Sequence, residues 1–326
     1  TITWSEGQHN VTIWVNDSLN NVNSTSVRFN IDSIAPIVTI VLPQNVTYAT
    51  STIYFNFSLN EAGTCLYSLN SGAANYTMTA NASNTGFSAA NSSIADGSYT
   101  VRAYCNDTAG NTNYTAAQSF SKDITPPDIN IISPLNITYA IATVQFNVSL
   151  NENTSWCGFS LDSFTNITMT RFNDTYFNYT NTTMTQGSHT VAFSCNDTLG
   201  NMNSSSGIRH FGVDTTAPSI TIVYPQNTSY NVNVSNLNYT IAGNNADKCW
   251  YSNSSGVWNS TKVTSGSNFT DVNSIEGSNT WMIFCNNSVG NENSTSVTFF
   301  KDTLFPLISI IYPENNSNHS IKNVNI

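Results

Sequence analysis

Apolar and polar residues alternate along short stretches of this chain. In TIYFNFSLN, from Thr52, Ile53, Phe55, Phe57 and Leu59 face one way, and Tyr54, Asn56, Ser58 and Asn60 the other. About ninety residues later Val144, Phe146, Val148 and Leu150 repeat the inward set, with Gln145, Asn147 and Ser149 outward. A period of two is that of a half-buried strand. GSYTVRAYC from Gly97 alternates too, with Tyr99, Val101, Ala103 and Cys105 inward and Thr100, Arg102, Tyr104 and Asn106 outward. The NDTAGN that ends this strand reads as a hairpin turn, with Asp107 in the turn and Gly110 where a left-handed residue is needed. Asn20 fills that slot in an earlier copy, and asparagine tolerates positive φ better than most residues. No stretch sustains a helical period.

These elements recur. GSYTVRAYCNDTAGN has relatives in GQHNVTIWVNDSLNN from Gly7, GSHTVAFSCNDTLGN from Gly187 and GSNTWMIFCNNSVGN from Gly277, so the four glycines are each 90 residues apart. Asp-x-x-x-Pro closes each copy, at Asp32, Asp123, Asp214 and Asp302, with Pro36, Pro127, Pro218 and Pro306 as boundaries. A short apolar strand and a proline turn follow each boundary, in IVTIVLPQN, INIISPLN, ITIVYPQN and ISIIYPEN. The period divides the chain into the end of one unit over 1–35, whole units over 36–126, 127–217 and 218–305, and the start of another over 306–326. A chain that starts and stops inside a unit is expected to be a segment of something longer. Several strands with frequent turns in about ninety residues predict an all-β tandem array of two-sheet sandwiches.

Strand, Cys-Asn-Asp-x-x-Gly-Asn turn, then a strand ending in Asp-x-x-x-Pro resembles the tandem immunoglobulin-like or fibronectin-type-III-like repeats of prokaryotic, especially archaeal, surface proteins. The resemblance covers the whole chain. It implies an Ig-like sandwich for each unit and leaves function open, since such modules serve stalks, surface layers, adhesins and fibres alike.

The cysteines fit that picture. Cys65 and Cys105, Cys157 and Cys195, and Cys249 and Cys285 place two in each complete unit and read as three intradomain disulfides, hence an oxidising, extracellular or cell-surface setting. Pairs of buried free thiols are the alternative. In the first piece the matching inward slot is Val15. No CxxC occurs, and His9, His189, His210 and His319 are scattered, which argues against a metal site.

Charge is the unusual quantity. Only 9% of residues are charged, against about 25% in ordinary soluble proteins. The net charge of -10, with nine Lys and Arg and no basic cluster, excludes a nucleic-acid binder. The chain holds no long apolar segment that would span a membrane. Fifty Asn, 43 Ser and 42 Thr take the place of charge. Asn-x-Ser/Thr occurs 29 times, against about 13 expected from composition, and this triplet is the N-glycosylation acceptor.

Many of these asparagines recur in register: Asn16, Asn106, Asn196 and Asn286 at the end of the cysteine strand; Asn23, Asn113, Asn203 and Asn293 past the turn; Asn45, Asn136, Asn227 and Asn315 after the boundary strand; Asn56, Asn147 and Asn238 within the next one. The rest are Asn10, Asn75, Asn81, Asn91, Asn153, Asn166, Asn173, Asn178, Asn181, Asn233, Asn253, Asn259, Asn268 and Asn318. Dense N-glycosylation would supply the hydrophilic coat that charge does not. The alternative is that Asn, Ser and Thr are simply good turn and edge residues.

No catalytic grouping or phosphate-binding glycine loop stands out, so no enzyme and no cofactor are expected. The boundary acids Asp32, Asp123, Asp214 and Asp302 and the turn acids Asp17, Asp107 and Asp197 can be read as calcium ligands between domains, but each boundary offers few, and the last turn has Asn287 instead. Capping of turn amides is the stronger expectation. Trp14, Tyr104 and Phe284 share an outward position, with Ser194 as the exception; they suit contacts with carbohydrate or a neighbouring subunit, or cover by a nearby loop. The expected function is structural: a glycosylated extracellular fibre or stalk that self-associates or continues into a longer array. The alternative is a spacer that presents an adhesin's separate tip domain.

Overall fold

A computed structural model describes residues 1–243, 245–318 and 320. His319 and the last six positions of the segment assigned to 306–326 lie outside the described residues. The described chain is all β, with 29 strands and no helix. After an initial hairpin it forms three two-sheet sandwiches.

In the first sandwich one sheet runs in the order Val38–Leu42, Ile53–Leu59, Gly86–Asn91, Thr79–Ala80. The facing sheet runs Thr47–Tyr48, Gln118–Lys122, Gly97–Asp107, Gly63–Ser68, Tyr76–Thr77, with Thr112–Tyr114 also on Gly97–Asp107. Thr47–Tyr48 is the one parallel edge, where the entering chain crosses from one sheet to the other. The second sandwich repeats this order: Ile129–Ser133, Val144–Leu150, Tyr176–Asn181, Thr170–Asn173 against Thr138–Tyr139, Ile208–Val213, Gly187–Asp197, Thr154–Leu161, Ile167–Thr168.

The alternating residues meet between the sheets. Ile53, Phe55, Phe57, Leu59, Val101 and Ala103 form one buried cluster, and Val144, Phe146, Val148, Leu150, Val191 and Phe193 its counterpart. Phe146 and Phe159 stack at 4.4 Å across the second core. Burying each such ring contributes about 1.5–3 kcal/mol. The disulfides Cys65–Cys105, Cys157–Cys195 and Cys249–Cys285 each join opposed residues of neighbouring strands in one sheet.

The third sandwich is thinner. Ser219–Tyr224 and Asn238–Ala242 form a two-stranded sheet, and Phe269, which stands opposite Leu237 as Tyr179 stands opposite Phe146, makes only an isolated bridge there. Trp281, fully buried, fills the core where Val101 and Val191 sit in the others. The facing sheet keeps five strands and joins Glu292–Lys301 into one.

Two expectations need correction. Val15, assigned to an inward slot, is 65% exposed, since among the described residues no second sheet faces the hairpin of Gly7–Asn16 and Val22–Ile31. The strand expected over ISIIY is absent. Ile308, Ile310, Ile311 and Tyr312 are exposed and belong to no strand, and among the described residues no counterpart of Ile53–Leu59 follows them.

Candidate functional site at the repeat joints

Each turn acid caps its own hairpin. Asp107 Oδ1 accepts the amides of Ala109 at 2.9 Å and Asn111 at 2.8 Å, while Oδ2 accepts Asn111 Nδ2 at 2.7 Å. Asp197 repeats these bonds, and Asn287 Oδ1 accepts Val289 and Asn291. Gly110, Gly200 and Gly290 lie at φ of 94°, 93° and 96°, and Asn20 at 63°, as the turn requires. Burial would push the Asp107 carboxyl up, but hydrogen bonds from Asn111, Ala109 and Gly110 outweigh it and hold it below its ordinary value.

The turn so fixed holds the linker entering its own sandwich. Asn111 Nδ2 donates to the Asp32 carbonyl at 3.0 Å and Asn113 Nδ2 to the Pro36 carbonyl at 2.7 Å. The same pair recurs as Asn201 on Asp123 at 3.1 Å with Asn203 on Pro127 at 2.9 Å, and as Asn291 on Asp214 at 2.6 Å with Asn293 on Pro218 at 2.9 Å. These bonds span more than seventy residues, and nothing local in the sequence announces them.

The preceding unit holds the linker from its other side. The residue before each recurring glycine reaches the linker backbone: Glu6 accepts from Ser33 N at 3.1 Å, Asp96 from Ile124 N at 3.1 Å, Gln186 from Thr215 N at 2.6 Å and Glu276 from Thr303 N at 3.0 Å. Hydroxyls of Thr125 and Thr303 add to this and keep the Asp96 and Glu276 carboxyls below their ordinary values. Every Asp-x-x-x-Pro linker between two sandwiches is thus bonded to the unit before and the unit after. The boundary aspartates cap locally as well, Asp32 to Ile34 N, Asp123 to Thr125 N and Asp214 to Thr216 N.

Carboxylates gather at two of the joints. Oxygens of Asp32, Glu61 and Asp107 lie within 4.8 Å of one another, as do those of Asp123, Glu152 and Asp197. Burial, then the charges of Asp123, Asp197 and Asp128, push the Glu152 carboxyl up. Calcium takes six to eight oxygens, from carboxylates, carbonyls and water, and both oxygens of the turn aspartate already accept amides. At the third joint Asn287 Nδ2 donates to Asp214 Oδ2 at 3.0 Å and to the Thr216 carbonyl at 3.1 Å, so an amide stands where two acids face each other elsewhere.

None of the 29 sequon asparagines is buried. Asn91, Asn173 and Asn181 accept the backbone amide two residues on, in their own sequons; of the three only Asn173 is exposed, and Asn91 Nδ2 donates to the Tyr67 hydroxyl at 3.2 Å. Asn106 and Asn196 bond the hydroxyls of Thr64 and Ser155. Of the outward aromatics, Tyr104 stacks on Tyr114 at 6.1 Å and Phe284 on Trp250 at 5.6 Å, whereas Trp14 is exposed. Beside Ser194, Trp156 lies over Gly158 and covers the same spot.

Among known proteins, a family model described as a bacterial Ig-like domain (group 3) matches residues 173–249, a window that crosses the joint at Asp214 to Pro218. No curated protein matches the chain. The solved structures it is similar to include one concerning host cell surface retention of a 1.5-MDa bacterial ice-binding adhesin, at 14% identity, 83% of this chain, 100% of that one and a TM-score of 0.42. A tetra-tandem repeat in the extending region of a large adhesion protein gives 20% identity, 92% and 82% coverage and a TM-score of 0.34. Domains A168–A170 of titin give 10%, 83% and 100%, with a TM-score of 0.34. Over residues 173–249 the chain is thus similar to a bacterial Ig-like domain.

Proposed function

We propose that this chain is a stretch of stiff, sugar-coated rod in an extracellular fibre or cell-surface stalk, with no catalysis of its own. The observation that carries the reading is the joint: the same two-sided set of hydrogen bonds fixes the linker between successive units each time. Units so joined transmit orientation along the array, which a structural element needs and a catalyst does not. Three disulfides suit an oxidising compartment. The sequon excess, with no acceptor fully buried, suits a glycan coat over a surface poor in charge. The described residues contain no helix long and apolar enough to cross a membrane.

Electron microscopy of native material tests this. At ~3.3 Å per residue an eleven-residue strand along the axis gives a rise of about 35 Å per unit. Long filaments with an axial period of a whole number of such units, with density branching from the sequons, are expected. Separate rods ending in a distinct head would make the chain a spacer behind an adhesive tip instead.

A further inference from the structure

Two registers of sequon differ in what their amides are doing. Asn45, Asn136 and Asn227 are exposed and make no side-chain hydrogen bond among the described residues. Each sits at the tip of a tight turn whose flanking backbone groups bond each other: Val46 N to Gln44 O, Ile137 N to Leu135 O and Thr228 N to Gln226 O. A tyrosine hydroxyl braces the same turn, with Gln44 N, Leu135 N and Gln226 N donating to Tyr48, Tyr139 and Tyr230 at 2.8, 2.8 and 2.9 Å. The backbone is fixed and the asparagine amide is free.

Asn113, Asn203 and Asn293 carry the same triplet and are engaged at both ends of the amide. Nδ2 donates to the linker carbonyl at 2.7, 2.9 and 2.9 Å. Oδ1 accepts the amide of Tyr114 at 2.8 Å, Ser205 at 2.9 Å and Ser294 at 2.9 Å. A glycosyl bond forms at Nδ2, replaces one of its two hydrogens and sets a sugar ring beside the atom now in contact with the linker. Sugar and clasp compete for one nitrogen.

We infer that Asn113, Asn203 and Asn293 are clasp residues that stay free of sugar, and that the coat attaches at the free register of Asn45, Asn136 and Asn227. The inference rests on the reading of the sequons as glycan acceptors. Each linker then runs through a bare seam while sugars project from the turn tip on the far side of the same boundary strand. A sugar on the post-turn register marks a joint whose clasp is open.

Glycopeptide mapping of the native chain, paired with small-angle scattering of two variants, tests both halves. Glycans at Asn45, Asn136 and Asn227 with none at Asn113, Asn203 and Asn293 are expected; occupancy of the post-turn register comparable to the turn-tip register overturns the inference. Asn203→Ala and Ser205→Ala both destroy the same sequon, but only the first removes the donor to Pro127. Asn203→Ala should shorten the maximum dimension and broaden the pair-distance distribution, while Ser205→Ala should overlay the parent. Identical curves for the two variants refute the clasp whatever the sugars do. If no asparagine is modified anywhere, the sugar-coat reading falls and with it the assignment of the coat, while the contrast between these variants still judges the clasp.

Discussion

At the entry to the second sandwich Glu152, Asp123 and Asp197 bring three carboxylates together; at the entry to the third, Asn287 donates an amide hydrogen to Asp214. The contrast extends into the cores. His189 in the second, 6% exposed, bonds Asp162 Oδ2 at 2.8 Å and the Thr185 carbonyl at 2.9 Å. Its counterpart Asn279 satisfies itself on the backbone of Ile275 and Gly277. The second sandwich has four strands in its smaller sheet, and the third has two with a large indole in the core. One backbone plan therefore accepts ionisable or neutral side chains at equivalent positions, and the choice decides which unit responds to pH and which depends on its covalent bridge.

The bridge should separate the two most. Cys157–Cys195 and Cys249–Cys285 close loops of nearly equal length, 38 and 36 residues, so removing either costs about 3–4 kcal/mol on the chain-entropy estimate. The thinner third sandwich has less left to withstand that loss. Replacing both cysteines of the third by alanine should unfold that unit first in calorimetry, with fast amide exchange over 219–301, while the same change in the second leaves it folded. If the third holds as well as the second, its two-stranded sheet is not the weaker one.

A smaller separation comes from the turn caps. Asp197→Ala strips three acceptor bonds from a buried carboxylate position and should cost about 2–3 kcal/mol, since bonds to charged groups are the stronger ones. Asn287→Ala removes two neutral cap bonds, together worth about 1–2 kcal/mol, and also the amide's donations to the Asp214 carboxylate and the Thr216 carbonyl. The cap amides themselves therefore give the comparison: equal loss of exchange protection at Leu199 and Asn201 in the first variant and at Val289 and Asn291 in the second would mean that charge adds nothing to the cap.

Much of this plan is legible in the residues. Alternation in TIYFNFSLN and its relatives gives the buried face, because a strand's period of two is a local property. The turn role of Asp107 and the left-handed Gly110 are local too. The clasp is not. Asn111 and Asn113 bond residues more than seventy positions earlier, and although both recur in register, recurrence names no partner. Glu6, Asp96, Gln186 and Glu276 share a position but not a residue type, so the repeat comparison passed over them. The thin third sheet had no such signal in the spacing, since Phe269 lies eight residues before Gly277 as Tyr179 lies eight before Gly187, and the missing strand is seen only in the pairing. Val15 keeps its strand and loses only its burial, because alternation predicts a face and only a partner sheet buries it, whereas ISIIY forms no strand among the described residues, where no pairing strand of its own sheet follows.

The smallest effect is the response to pH, and its sign is fixed. Glu152 has a raised folded value, from burial first and neighbouring carboxylates second, so its contribution is fully present below the unfolded value and lost as pH rises through the folded one. His189 is pulled down by burial, but Asp162 and the Thr185 carbonyl more than offset this and raise it. Its contribution too is present at low pH and lost on passing upward through the folded value. Asp162 is held below its ordinary value despite burial, by His189 and Thr190, and works against the other two as pH falls from the unfolded carboxylate value through that lowered one. Between neutral pH and the ordinary carboxylate range, then, the second sandwich should gain stability as pH falls, while the amides of Asn279 and Asn287 give the third no such slope. Glu152→Gln and His189→Asn, which give the second unit the neutral chemistry of the third, should each flatten the dependence of Tm on pH, and together bring the two units close to parallel. A slope that survives both substitutions would place the titrating groups elsewhere and remove ionisation as the difference between the two sandwiches.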